Sequence, residues 1–198
     1  MRIPMGQQIQ QIRSRKPIMS QKDFELLLSL PVTVEEKLDG KTDSHETEDF
    51  IIYYEDLKNL HSVPYSKVPP PLKGDVAAFR ICFDIWLKDE NRWVNREELE
   101  VLCSELGYPV SPLIFEGIVK KDDIPFLARQ HSFFGKEQME GVVIKNRERN
   151  LFGKFINREF IEGFLDEDFE DVNKRPCTPN NIYNKYSLDK LFKHIEIY

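Results

Sequence analysis

The stretch from Ala77 to Leu87 alternates in character so regularly that it constrains the fold more than any other part of the chain. Phe79, Ile81, Phe83 and Ile85 fall on one face of an extended backbone, and Arg80, Cys82, Asp84 and Trp86 on the other. Strand side chains alternate with a period of two, so the pattern predicts a buried β-strand. A strand needs partners, and the chain offers several short candidates. Pro31 to Glu36 alternates and runs into the turn signal Asp39-Gly40, Phe50 to Tyr54 is rich in Ile and Tyr, and Glu140 to Lys145 and Phe152 to Ile156 flank a charged hairpin, Asn146 to Asn150.

Helical signals lie between them. Ser20 with Asp23 caps a helix through Leu30, with Phe24, Leu27 and Leu28 at helical spacing and Pro31 as the stop. Asn95 with Glu98 forms a capping box for a helix to Leu106 that Gly107 closes, and Asp122 to Gln130 reads as a short helix with Pro125 in its first turn. Pro64, Pro69, Pro70 and Pro71 keep the loop from Val63 to Gly74 extended and outside any central sheet. There is no internal repeat and no regular βαβ alternation, so the expected class is α+β.

The 198 residues suit one domain, or one domain with a tail. Hydrophobic content of 40% beside 31% charged residues describes a soluble globular protein. No stretch has the apolar length of a membrane span, and Met1 to Lys16 lacks the apolar centre of a secretory signal, so no membrane association and a cytoplasmic location are expected. Cys82, Cys103 and Cys177 include no CxxC pair and no histidines at ligand spacing, which points to buried thiols. A net charge of -6 argues against coating nucleic acid by bulk attraction while leaving room for a local basic groove. The acidic runs Glu35-Glu36, Asp43 to Asp49 and Asp166 to Asp171, and the basic stretch Lys145 to Lys154, read as solvated faces.

Lys37 carries the chemistry. In Glu35-Glu36-Lys37-Leu38-Asp39-Gly40 it offers an amine nucleophile where a strand breaks into a turn. A solvated, charged hairpin end is the plainer reading of those residues. Further runs follow in order: Glu55 to Tyr65 with His61-Ser62, Phe83-Asp84-Ile85-Trp86, Glu140-Gly141-Val142-Val143-Ile144-Lys145, and Gly153-Lys154-Phe155-Ile156-Asn157-Arg158-Glu159-Phe160. This series resembles the nucleotidyltransferase motifs of covalent ATP-dependent ligases, and is most similar to the RNA ligase family within the superfamily of DNA and RNA ligases and capping enzymes. The resemblance spans Pro31 to Phe160.

It implies an adenylation domain over residues 1–165, built on antiparallel sheets with flanking helices and shortened between the first two motifs. Residues 166–198 would form an acidic linker and a short C-terminal helix, Ser187 to His194, with no separate second domain. It also implies that neutral Lys37 attacks the α-phosphorus of ATP, expels pyrophosphate and holds AMP, with Mg²⁺ neutralising phosphate charge. Lys154 would supply a cation beside the nucleophile and bind the α-phosphate, Glu140 would serve a metal or phosphate site, and Lys145 would follow the phosphates. Phe83 would stack on adenine with Asp84 accepting bonds nearby, Glu55 would contact the ribose, and Glu36 would help select adenine. Asp39 and Gly40 complete the nucleophile motif at the nucleotide.

Plainer readings stand beside these: a salt-bridged Lys154, a strand-end Glu140 or Glu55 facing water, Lys145 merely ending its strand, a core Phe83 and a structural His61. The chain also departs from the family. It is short between Lys37 and Glu55, lacks a counterpart of the Ser-Arg element, and has Tyr54 and Ile156 where relatives place a glycine and a second lysine. The expected partners are RNA ends, a 5′-phosphate and a 3′-hydroxyl, with another protein supplying extra RNA-binding surface. A nucleotide- or RNA-end-binding relative without activity, a DNA ligase and a GTP-using capping-type enzyme remain as alternatives.

Overall fold

The computed structural model describes residues 20–58, 63–72 and 78–157. The alternation at residues 77–87 produces a strand, β4 (Arg80–Leu87), that starts later than the pattern predicts and changes face midway. Phe79 sits at φ 72, outside extended backbone. Against β3 (Phe50–Asp56) the register slips between Tyr53 and Tyr54: Tyr53 pairs with Asp84 and Tyr54 with Cys82, skipping Phe83. One extra residue in a strand inverts the alternation beyond it. Cys82 and Ile85 therefore share a face with Ile52, Tyr54, Leu99 and Cys103, whereas Phe83 and Trp86 join Ile51, Tyr53, Trp93 and Phe152.

Two antiparallel sheets of four strands result. The second has the order β2-β3-β4-β5, with β2 (Lys41–Glu46) and β5 (Arg92–Trp93) at its edges. The first has the order β6-β1-β7-β8, built from β1 (Val32–Lys37), β6 (Leu113–Gly117), β7 (Gly141–Asn146) and β8 (Leu151–Ile156). The sequence pattern did not signal β2, β5 or β6. Strand β2 reads Lys-Thr-Asp-Ser-His-Glu and is exposed along its length, so it carries no apolar period.

Helix α1 (Gln21–Ser29) opens as expected, with the Ser20 hydroxyl accepting the Asp23 N–H at 3.1 Å. Its Phe24 and Leu27 pack with Val32, Val34, Val142, Ile144 and Phe155 on one face of the first sheet. Helix α2 (Arg96–Leu106) has the full Asn95–Glu98 capping box and ends at Gly107 with φ 87; Leu99 and Cys103 pack against β4. The helix expected over 122–130 is a 3₁₀ turn, Lys121–Asp123, followed by α3 (Ile124–Ala128) with Pro125 in its first turn. The proline-bearing loop forms no strand over 63–72; Tyr65 and Val68 pack on a cluster of Leu38, Leu57, Ile81 and Phe134.

Cys82 and Cys103 are buried free thiols. No helix among the described residues is long and apolar enough to cross a membrane. His61, Cys177, the helix expected around 159–165, the acidic run, the C-terminal stretch and the expected boundary at 165 lie outside the described residues.

The β7–β8 pair is tight. A Cβ on Gly141 would collide with the Phe155 carbonyl and lie 2.9 Å from Ile156 Cα, both backbone atoms that cannot swing aside. Gly141→Ala is therefore expected to destabilise the fold by at least ~1–3 kcal/mol, as overpacking does. Asn95→Ala, which removes one helix cap, should cost only about 1 kcal/mol. Urea unfolding of both variants checks the ranking, and a Gly141→Ala loss no larger than that of Asn95→Ala would contradict it.

Candidate active site

Along β1, Val32 and Val34 enter the core of the first sheet. Thr33, Glu35 and Lys37 therefore share the opposite face, toward the second sheet. The cleft between the sheets is lined by Lys37, Glu55 and Thr42, and also by Tyr53, Phe83, Trp93 and Phe152.

Strand register assembles the charged end. Lys37 pairs with Gly141 and Val143 with Lys154, which places Glu140 beside the last residue of β1. Lys37 Nζ is ion-paired with Glu140, the two side chains being 15% and 9% exposed. Burial pushes the Glu140 carboxyl up from its ordinary value, opposed by the charges of Lys37 and Lys154. Lys154 is itself buried. The expected water-facing alternative for Glu140 does not describe its surroundings.

The turn after Lys37 is held by a different set of bonds. The Asp39 N–H donates to Tyr65 Oη at 2.6 Å, and Asp39 Oδ2 accepts from the Val63 N–H at 3.1 Å. The Gly40 N–H donates to Glu55 Oε1 at 3.0 Å and Thr42 Oγ1 donates to Glu55 Oε2 at 2.9 Å. A Cβ on Gly40 would stand 2.8 Å from Glu55 Cγ, so glycine is what lets the turn close onto that carboxylate. Burial raises the Glu55 carboxyl to about 7 despite the nearby Lys37 charge.

Glu36 shares the parity of Val34 and turns away from this face. Its Oε2 accepts from the Phe133 N–H at 3.0 Å, whereas Oε1 is buried with no hydrogen bond among the described residues. Burial raises its pKa as well.

Farther in, four charges meet. Lys145 Nζ donates to Glu35 Oε2, Asp84 Oδ2 and the Phe83 carbonyl, each at 2.9 Å, and so uses its three donors. Arg147 donates to Asp84 Oδ1 at 2.8 Å, Thr33 Oγ1 at 2.8 Å, Glu35 Oε1 at 2.7 Å and the Phe83 carbonyl at 3.2 Å. Burial alone would raise the Glu35 carboxyl, but Arg147, Lys145 and Arg96 outweigh it and hold the group well below the usual carboxylate range. Phe83 lies under the Lys145 ammonium, 5.2 Å from its ring centroid. The run Glu35-Glu36 is thus buried, not the solvated face its charge implied.

Lys37, Glu55, Glu140 and Lys154 gather at one end of the cleft, with Asp39 and Gly40 behind them; Phe83 and Lys145 stand at the other. Sequence reasoning passed over Arg147, Tyr65, Thr42 and the structural weight of Glu35. Strand parity with Lys37 was an available signal for Glu35. Nothing local distinguished Arg147 from its neighbours in a charged hairpin. Among the described residues, no group of three His, Cys, Asp or Glu side chains is placed to hold a metal ion by itself.

Solved structures of Naegleria gruberi RNA ligase share this fold at low sequence identity. Its complex with PPi aligns with a TM-score of 0.56 at 13% identity, covering 78% of this chain and 58% of that one. A mutant solved with ATP and Mn gives 0.53 at 12% identity, covering 78% and 57%, and an apo mutant gives 0.56 at 15%, covering 77% and 57%. The chain thus spans a little under three fifths of that ligase's length. No curated protein matches it. The family model for RNA ligase matches residues 10–159, most of the 198, and the chain belongs to the RNA ligase family.

Proposed function

We propose that this protein is an ATP-dependent RNA ligase-like nucleotidyltransferase that adenylates itself on Lys37. The observation that carries the reading is the placement of Lys37 against Glu140 at the charged end of a cleft whose other end is aromatic. A nucleotide has the same polarity, with a flat base at one end and phosphates at the other. In the first step the Lys37 amine forms a bond to the α-phosphorus, the bond from that phosphorus to the bridging oxygen breaks, and pyrophosphate leaves. The attacking amine must be neutral, so Lys37 has to give up both its proton and its Glu140 partner. An oxygen of an RNA 5′-phosphate then displaces Lys37 from phosphorus, and a 3′-hydroxyl displaces AMP to form the phosphodiester.

Lys154 takes the α-phosphate, Phe83 the base and Glu55 the ribose, whereas Glu36, expected to select adenine, turns its carboxylate to the Phe133 N–H on the opposite face of β1, away from the cleft. Asp39 and Gly40 hold the turn that presents Lys37. Lys145 serves the nucleotide from beneath, by holding Phe83. A divalent cation is usually held by one or two carboxylates together with substrate phosphates. Glu140, close enough to Glu55 for its charge to push that carboxyl up, fits that pattern. Mg²⁺ bound there would neutralise phosphate charge. The Naegleria gruberi ligase complexes with ATP and Mn, and with PPi, support this assignment of ligands. RNA ends as substrate, a cytoplasmic setting and a partner protein that adds basic surface belong to the same proposal; the net charge of -6 is the reason for the partner.

Incubation with Mg²⁺ and α-labelled ATP, with GTP in parallel, tests the first step. Acid-labile label on the wild-type chain from ATP is expected, with at least a hundredfold less on Lys37→Ala. No label on wild type leaves a binding-only relative, preference for GTP points to capping chemistry, and equal label on the variant removes Lys37 as nucleophile.

Glu55 gives a second expectation. Its folded pKa of about 7 exceeds the ordinary 4.5. Both folded and unfolded chains hold the proton below the ordinary value, and between the two values only the unfolded chain ionises. Its contribution is therefore full at low pH and is lost as pH rises through about 7. Glu55→Gln should accordingly gain a few °C in Tm relative to wild type between pH 5 and pH 8. A Tm difference that does not change with pH would contradict burial of that carboxyl.

A further inference from the structure

Arg147 is buried although it lies directly after β7 in a hairpin of charged residues. It reaches two strands of different sheets at once: Thr33 and Glu35 on β1, and Asp84 with the neighbouring Phe83 carbonyl on β4. Phe83 is the residue that the register of β4 skips, so its backbone lacks the strand partner that would otherwise fix it. Its carbonyl is held by cations instead, Lys145 at 2.9 Å and Arg147 at 3.2 Å.

On the reading that the cleft takes ATP, we infer that Arg147 is a positioning residue for base recognition, which acts through the Phe83 backbone to set how that ring enters the cleft. Lys145 cannot do this alone. Two carboxylates, Glu35 and Asp84, face it, and its three donors are already committed. Without Arg147, Glu35 keeps Lys145 and, at 3.5 Å, Arg96 as cationic partners, Asp84 keeps Lys145 alone, and the Phe83 carbonyl loses one donor. Lysine at position 147 would keep the charge but not the planar fork that spans Asp84, Thr33 and Glu35 together. The reacting end, with Lys37, Glu140 and Lys154, takes its place from the pairing of β1 with β7 and of β7 with β8.

The test is single-turnover labelling from α-labelled ATP over a range of concentrations, on wild type, Arg147→Lys, Phe83→Ala and the Arg147→Lys/Phe83→Ala pair. Because Arg147→Lys can unfold the protein by stranding buried carboxylates, the charge-balanced Glu35→Gln/Arg147→Gln variant is measured beside it, each with its thermal melt. At least a tenfold rise in the ATP concentration for half-maximal rate is expected for Arg147→Lys, with the rate at saturation within about threefold of wild type. In the Phe83→Ala background the same substitution should add less than about twofold, because both act at one place. Folded variants with unchanged ATP dependence overturn the inference. So does a loss confined to the saturating rate, full additivity with Phe83→Ala, or failure of both network variants to fold, which would make the role structural. Absence of label on wild type removes the ATP reading itself, a different result from all of these.

Discussion

The interaction on which the rest of the structure depends is the buried square of Glu35, Asp84, Lys145 and Arg147. Its members come from β1, β4 and the end of the β7 hairpin, so it fastens one sheet to the other. The charges sum to zero. Each carboxylate oxygen has a cationic donor, and Ser111 adds a bond to Glu35 at 2.8 Å. A buried ion pair generally gains little net stability over a well-packed apolar substitute, because desolvation offsets the attraction. Removing a single member is another matter, since it strands an unpaired charge in the interior. The network therefore acts on geometry more than on stability: only one relative placement of the two sheets satisfies all four groups.

A second, apolar brace works beside it. Trp93 of β5 lies edge-on to Phe152 of β8, with centroids 5.5 Å apart, and its indole N–H donates to Asn150 Oδ1 at 2.8 Å. Tyr53 stacks obliquely on the same indole at 5.5 Å. This cluster closes the far end of the cleft with flat apolar surface, while the charge square forms its floor. The polarity along the cleft thus follows from which bracing interaction lies where. The segment before β6 contributes too: the Cys82 N–H donates to the Pro109 carbonyl and the Glu36 N–H to the Pro112 carbonyl, tying a loop to both sheets at 2.8 and 2.9 Å.

What the sequence disclosed follows from how far each signal reaches. The Asn95–Glu98 box, Gly107 and the β7–β8 hairpin are local, and the residues that specify them lie within a few positions of one another, so they read correctly. The alternation at 77–87 failed at Phe83 because a bulge is set by the partner strand. Strand β2 was invisible because an exposed edge needs no apolar face. Lys37, Glu140 and Lys154 were recognisable from motif order, and their meeting depends on pairings between residues about a hundred positions apart. Arg147 had no local mark at all. An arginine in a charged turn is ordinarily solvated, and its burial is decided by Glu35 and Asp84, neither of them near it in the chain.

The two ends of the cleft are positioned by different means, and this governs how each responds to change. Lys37, Glu140 and Lys154 take their places from the backbone ladder of β1, β7 and β8. A ladder is discrete: a slip of one residue turns every side chain to the other face. Lys37 would then leave the cleft altogether, so an insertion or deletion within β1 or β7 removes it from Glu140 and Lys154 at a stroke. The end proposed to take the base is set by Lys145 and Arg147 gripping the Phe83 carbonyl. Such a grip can yield by fractions of an ångström, so changes that keep the buried charges balanced are graded in effect, whereas removal of one charge strands its partner. On the proposed reading, a chain whose Lys37 is locked by register and whose Phe83 ring is held by an adjustable clamp would change its affinity for the nucleotide without moving the amine that attacks it.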